Sequence, residues 1–294
     1  MSRRGLVLPL VALAMALLPQ VSSAHAAPVP AVEARATLGD AAAGCSLTRP
    51  AGGLDAASPV GVSSCPGVRP GGAIRTDAGL CTLNFLFSGS DGRRFIGTSA
   101  QCMKPFIGER APAPGRRELA RDLTGRRIGE FVYGVFAGGA DFALIALDSL
   151  VQASPRMCHF GGPTGLNQDA RKAPVLLHYY GNGLVALPTS AVPEGLGMGP
   201  MTPGRSAVAP HLRNPVWVMA VGTAIYGDLG SGVISDDGRA VGLVVYGGLT
   251  TTSGGDSAGT LGIIRLGPQV DRAEKRLGIN LHLEIDPERT AGIG

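Results

Sequence analysis

A glycine-rich hexamer, GDLGSG at residues 227–232, lies between two apolar, strand-like stretches of the sequence. A loop in which glycines enclose a single aspartate, here Asp228, is typical of a site that presents a reactive side chain. Its central residue is Leu229, whose hydrocarbon side chain can act neither as a nucleophile nor as an acid or base. The hexamer is therefore interpreted either as an active-site loop without its nucleophile or as a tight turn without chemistry.

Other residues could supply a nucleophile or a base, and the sequence favours none of them. Ser257 in GGDSAGT (254–260) follows a loop rich in Gly, Thr and Ser, which indicates a surface loop. Ser231 lies two residues beyond Leu229, and its hydroxyl is expected to bond to the backbone of a tight turn. Cys158 is expected in a disulfide or as a small buried apolar residue. The remaining histidines after export are predicted to be surface or packing residues: His159, His178, His211 and His282.

The elements that position these residues are predicted to be strands, because short apolar runs alternate with turns among 45 glycines and 22 prolines. CTLNFLFS (81–88), the GSDG turn and RRFIGTS (93–99) predict a hairpin. A C-terminal helix is predicted from Val270, Ala273 and Leu277 on one face. Further strands are predicted at 128–137, 141–147, 173–181, 216–222 and 240–248. About six strands on each side of residue 150 indicate two similar β units.

Three segments, in this order, resemble the chymotrypsin/trypsin-like serine protease family, particularly its secreted bacterial branch. GTSAQC (97–102) is similar to the family's G-T-A-G-H-C, ADFALI (140–145) to its D-[FIL]-A-L-[IV], and GDLGSG (227–232) to its G-D-S-G-[GS]. The resemblance runs from roughly Cys65 to the C-terminal helix. It implies an all-β fold of two antiparallel six-stranded β-barrels, over 71–153 and 154–286, with a cleft between them and the helix in the second unit.

The resemblance also implies which residues stand at the catalytic positions. Gln101 stands at the histidine position, Leu229 at the serine position, and only Asp141 matches the family. A glutamine amide is not a base, whereas an imidazole with a pKa of about 6.5 is one. The backbone N–H groups of Gly227 and Leu229 would remain as a vestigial oxyanion hole. Asp228 would be a buried structural anion, and Gly230 would keep the loop tight.

These positions predict a secreted protease homologue that is catalytically inactive and binds a protein or peptide. The alternative is an active secreted serine endopeptidase that hydrolyses peptide bonds with a non-standard site. The two hypotheses differ in whether the chain holds a base and a nucleophile outside the three motifs.

The N-terminus predicts export. Residues 1–26 contain Arg3 and Arg4, a short apolar region and Ala24-His25-Ala26, which together indicate a signal peptide cleaved before Ala27. The apolar run over 6–18 is too short to span a bilayer. Sec and twin-arginine export both stay open. Residues 27–70, rich in Ala, Pro and Gly, are predicted to be an arm or a pro-segment.

The five cysteines are Cys45, Cys65, Cys81, Cys102 and Cys158, and pairs of them are expected to form disulfides in an exported protein. A Cys81–Cys102 bridge would tie the start of one hairpin strand to the end of the other and stabilise the fold by about 3 kcal/mol. Pairing among the other three stays open. No cysteine or histidine cluster indicates a metal, so neither a metal nor a cofactor is expected.

The charge balance is nearly even. Loss of Arg3 and Arg4 with the signal peptide lowers the net charge of +4 by two. That balance predicts binding neither to nucleic acid nor to a membrane, and the protein is expected to be a monomer.

Overall fold

The computed structural model describes residues 67–111, 118–157, 161–170, 173–181, 184–186, 198–200, 204–225, 227–248 and 259–286. The predicted signal peptide, residues 27–66 of the predicted N-terminal arm, Cys45, Cys65, Cys158 and Ser257 lie outside these residues, whereas Val68 and Arg69, at the end of that arm, are described and buried. The strands before residue 150 are β1 (Ala73–Thr76), β2 (Gly79–Thr82), β3 (Leu86–Gly89), β4 (Arg94–Thr98), β5 (Gly108–Arg110), β6 (Leu119–Arg121), β7 (Arg127–Ala137) and β8 (Ala140–Leu147). The later elements are β9 (Val175–Tyr180), β10 (Leu184–Ala186), β11 (Met198–Pro200), β12 (Gly204–Ala209), β13 (Trp217–Val221), β14 (Gly232–Ser235), β15 (Ala240–Gly248), β16 (Thr260–Arg265), α1 (Leu266–Leu277) and β17 (Leu281–Leu283).

The strands before residue 150, together with β17, form one curled antiparallel sheet in the order β17-β3-β4-β8-β7-β6-β1-β2, with β5 paired to β7. The chain runs directly from β2, at one end of this order, into β3, which is next to β17 at the other end. In that junction the Leu83 N–H donates to Gly72 O at 2.8 Å, and the Asn84 N–H donates to Gly97 O at 2.7 Å. The single strand predicted over 81–88 is therefore wrong. The backbone changes its hydrogen-bonding neighbour at Asn84 and divides the stretch into β2 and β3.

The second half forms a closed antiparallel barrel of six strands, β12-β13-β16-β15-β14-β9. Its interior is filled by small and branched apolar side chains, among them Val175, Leu177, Ala207, Val218 and Val233. The predicted all-β architecture of two antiparallel β units with a C-terminal helix is confirmed. The strand count of six holds for the closed barrel, whereas the first unit is a curled sheet of nine strands.

Helix α1 is confirmed with its predicted apolar face. Ala273 is buried, and Val270 and Leu277 pack against a core cluster that includes residues of both β units. Gly278 ends the helix in the left-handed conformation, with φ +68°. The chain then forms β17, which pairs with β3. A strand from the range 154–286 thus completes the first sheet.

The expected disulfide between Cys81 and Cys102 is present. It joins the end of β2 to a short 3₁₀ turn, Ala100–Cys102, which directly follows β4. Because this turn carries Gln101, the disulfide fixes the backbone beside one of the predicted site residues. Among the described helices, none is long and apolar enough to cross a membrane.

Candidate functional site

The three predicted motifs meet where the first sheet faces the closed barrel. Gln101, in the 3₁₀ turn, contacts Asp141 near the start of β8. The loop before β14 reaches the same place, because the Thr82 N–H donates to Leu229 O at 2.9 Å and the Thr82 hydroxyl donates to Gly227 O at 2.7 Å. Cys102 Sγ lies 4.0 Å from Leu229 O. The structure therefore places the positions of all three motifs next to one another.

Asp141 is a buried carboxylate, with only 3 % of the residue exposed. The Ser99 hydroxyl lies 2.8 and 2.9 Å from its two oxygens, and the Ala100 N–H donates to Oδ1 at 2.6 Å. Burial raises the pKa of Asp141 above its ordinary value, although the hydrogen bonds from Gln101, Ser99 and Ala100 act in the opposite direction. Desolvation is thus the larger of the two influences on this carboxyl group.

Gln101 connects the first sheet to the barrel through its side-chain amide. Nε2 donates to Asp141 Oδ2 at 2.6 Å and to Val245 O at 3.1 Å. A carboxylate and a carbonyl both accept hydrogen bonds, so the NH₂ end of the amide must be the end that faces them. Gln101 therefore satisfies Asp141 as a donor, but its amide has no basic nitrogen that could take a proton from a nucleophile.

The tight geometry of the GDLGSG loop depends on glycine at two positions. Gly227 has φ +99° and Gly230 has φ +92°, in the region that favours glycine. A Cβ atom on Gly230 would lie 2.3 Å from both Thr82 O and Thr98 Oγ1. The loop is therefore pressed against the first sheet so closely that a side chain at Gly230 has no room.

The backbone N–H groups of this loop divide into two sets. Those of Asp228 and Gly230 donate to backbone carbonyls at 3.0 and 2.8 Å. Within the described part of the chain, those of Gly227 and Leu229 have no acceptor. The two unused donors are the pair that the sequence predicted as a vestigial oxyanion hole.

Asp228 is fully buried and paired with an arginine that sequence reasoning missed. Arg205, on β12, donates from Nη1 to Asp228 Oδ2 at 2.7 Å and from Nη2 to Oδ1, while the Ile225 N–H donates to Oδ2 at 2.9 Å. The Arg205 guanidinium also lies 5.0 Å from the centroid of the Tyr179 ring. The only signal in the sequence is an arginine beside a short apolar run, which does not identify its partner.

The other described candidate nucleophiles and bases are Ser231, in the loop itself, and histidines outside the three motifs. Ser231 is fully buried, and its hydroxyl has no partner among the described residues, contrary to the expected bond to the backbone. His178 contacts Ser206 Oγ at 2.9 Å, and His282 is exposed on β17. The described residues contain no group of three or more His, Cys, Asp or Glu side chains that could hold a metal ion.

Comparison with known proteins gives a weak likeness. No family model matches the chain, and no curated protein matches it. One similar solved structure is a protease from Nocardiopsis (NAPase), which is 17 % identical, with a TM-score of 0.43, over 74 % of this chain and 97 % of that one. A likeness this slight carries no conclusion about activity.

Proposed function

We propose that this protein is a secreted, monomeric, catalytically inactive protease homologue that binds a protein or peptide in the cleft beside Gln101 and Leu229. One observation carries the proposal: the amide of Gln101 donates to Asp141 at 2.6 Å. In a serine protease triad that position holds an imidazole, which takes the proton of the nucleophile while the aspartate orients it. Here the orienting contact exists without a base.

The nucleophile is missing as well. Leu229 presents only hydrocarbon, and the nearest hydroxyl in the same loop, that of Ser231, is buried. Members of a catalytic triad act as a unit, and removing one of the central members costs roughly a million-fold in kcat. The loss of both the base and the nucleophile therefore favours the inactive protein over the alternative, an active endopeptidase with a non-standard site.

Binding is supported by the backbone of the loop. The N–H groups of Gly227 and Leu229 do not depend on the side chain at residue 229, and they have no acceptor in the described part of the chain. Two adjacent free donors suit a carbonyl oxygen, as in peptide recognition by other backbone sites. The Cys81–Cys102 disulfide is compatible with function outside the cell.

Activity-based labelling tests the proposal. A fluorophosphonate probe should not label the purified mature protein, and casein should stay intact. Specific labelling of the unmodified protein would contradict inactivity and favour the endopeptidase, and its loss in Ser257→Ala or Ser231→Ala would identify the nucleophile.

Reversal of the two substitutions tests whether the site is otherwise preserved. The double variant Gln101→His with Leu229→Ser should become labelled, because Asp141 is already in place to orient an imidazole. Leu229→Ser alone is the matched control, since it has the nucleophile without the base, and it should label far more slowly. Equal labelling of the two variants would show that residue 101 does not act on residue 229.

A further inference from the structure

The Gln101 amide uses its NH₂ end within the protein and leaves its oxygen for a ligand. Both protons of its NH₂ group are used, one by Asp141 Oδ2 and one by Val245 O. The oxygen Oε1 lies on the opposite side of the amide and accepts from no group in the described part of the chain. Gln101 is also an exposed residue. A ligand in the cleft can therefore use Oε1 as an acceptor that the protein itself leaves open.

Donors for the same ligand lie in the neighbouring loop. The disulfide-bonded Cys102, the residue after Gln101, has its Sγ 4.0 Å from Leu229 O, so the turn with Gln101 and the loop with Leu229 are in contact. In that loop, the N–H groups of Gly227 and Leu229 have no acceptor among the described residues. The turn and the loop, which are in contact, thus hold two donors and one acceptor that no described group uses.

We infer that this cleft selects a neutral peptide bond, with its carbonyl oxygen bound by the N–H groups of Gly227 and Leu229 and its N–H bound by Gln101 Oε1. The inference rests on the proposed function and names its ligand. A free C-terminal carboxylate fits the site poorly for two reasons. It has no N–H to donate to Oε1, and its charge would approach the buried Asp141 carboxylate, which no described cation contacts. Glutamine at residue 101 thereby acts as a specificity-determining residue that favours internal segments of a chain.

Three pools of acyl compounds with mixed amino-acid side chains, each with one carbonyl group and no other amide bond, test this selection. The pools differ only at that carbonyl: an N-methylamide has both carbonyl and N–H, a methyl ester lacks the N–H, and a free carboxylate lacks it and carries a charge. The readout is the shift of the Gly227 and Leu229 backbone amide signals in NMR spectra of the ¹⁵N-labelled mature protein. We expect the N-methylamide pool to reach half of its effect at a concentration about tenfold below that of the ester pool, and the carboxylate pool to bind more weakly still.

Variants assign the preference to Gln101. Gln101→Leu removes the acceptor and should abolish the difference between amide and ester. Gln101→His should retain it, because an imidazole that donates to Asp141 from Nδ1 presents Nε2 as an acceptor. The matched control is Gln168→Leu, the same exchange at an exposed glutamine outside the site, and it should keep the difference.

The outcomes distinguish a failure of the peptide-bond preference from a failure of the proposed peptide binding. Equal half-effect concentrations for amide and ester in the unmodified protein, or tighter binding of the ester or carboxylate, would overturn the inference while the shifts still supported peptide binding. No shift of Gly227 or Leu229 with any pool would overturn the proposed function and the inference with it. Loss of the preference in Gln168→Leu would also overturn the assignment to Gln101.

Discussion

The buried ion pair between Arg205 and Asp228 should be the most sensitive point of the GDLGSG loop. Arg205→Met keeps most of the side-chain volume but removes the charge, and it leaves Asp228 as an anion whose side chain is only 1 % exposed. Among the described residues, one backbone donor also reaches this carboxylate, the Ile225 N–H at 2.9 Å. The substitution therefore leaves a buried carboxylate without its counterion.

The size of the effect follows from these contacts. Removing one partner of a buried ion pair typically costs about 3–5 kcal/mol, because the other charge stays desolvated. Arg205 also donates to Thr223 O at 3.1 Å, and the loss of that bond adds about 1 kcal/mol. The retained Ile225 N–H offsets part of the cost. We expect a loss of about 4 kcal/mol, which is a large part of the 5–15 kcal/mol that is usual for the free energy of unfolding.

Urea denaturation of the mature protein measures this loss. The matched control is Arg239→Met, since Arg239 forms an exposed pair with Asp237 at 3.5 Å and should cost less than about 1 kcal/mol. In the double variant Arg205→Met with Asp228→Asn, the second substitution removes the isolated charge, so the total loss should be smaller than the sum of the two single losses. A loss below about 1 kcal/mol for Arg205→Met, or additive losses in the double variant, would show that the ion pair does not stabilise the loop as expected.

Three further predictions concern the loop, the carboxylate and the disulfide. Gly230→Ala should destabilise the fold by about 3 kcal/mol, because it combines a left-handed φ with a collision, whereas Gly138→Ala, at φ +58° with no atom within 4 Å, should cost about 1 kcal/mol in the same urea titration. Since burial raises the pKa of Asp141 above 3.8, the folded protein holds this proton more tightly than the unfolded chain does. Unfolding measured across pH 3–7 should therefore show the unmodified protein losing stability relative to Asp141→Asn as pH rises through the raised pKa, and a constant difference would contradict this. Replacing Cys81 and Cys102 together by alanine should cost about 3 kcal/mol, and an unchanged urea midpoint would show that the bridge does not constrain the unfolded chain.

Several strands were predictable from local patterns. The run at 240–248 coincides with β15 (Ala240–Gly248), because its residues are apolar or glycine throughout, whereas β12 (Gly204–Ala209), which carries Arg205, was not predicted. The division of 81–88 at Asn84 was not predictable, since it depends on which backbone carbonyl each N–H reaches. The pairing of β17 with β3 in the first sheet was not predictable for the same reason. Pairing partners are chosen by contacts distant in sequence, and a single strand pattern does not encode them.

The candidate site was predictable only as a set of motif positions. The order of the motifs anticipated that Gln101 and Leu229 lie near Asp141, but it gave no orientation for the glutamine amide. That orientation follows from two acceptors, one of them Val245 O in the barrel. Arg205 was missed because its partner, Asp228, lies 23 residues further along the chain, and no local spacing relates the two.

The structure separates two tasks that an imidazole performs at this position of a triad. One task is to donate to the buried Asp141 and so satisfy its charge, and the Gln101 amide does this at 2.6 Å. The other is to accept a proton, which an amide does not do at neutral pH. An apolar residue at position 101 would perform neither task. It would leave Asp141 with one donor fewer, in a site where desolvation already raises the pKa of this carboxyl group. Glutamine at position 101 therefore satisfies the buried carboxylate without supplying a base, which is the combination that the proposed binding function requires.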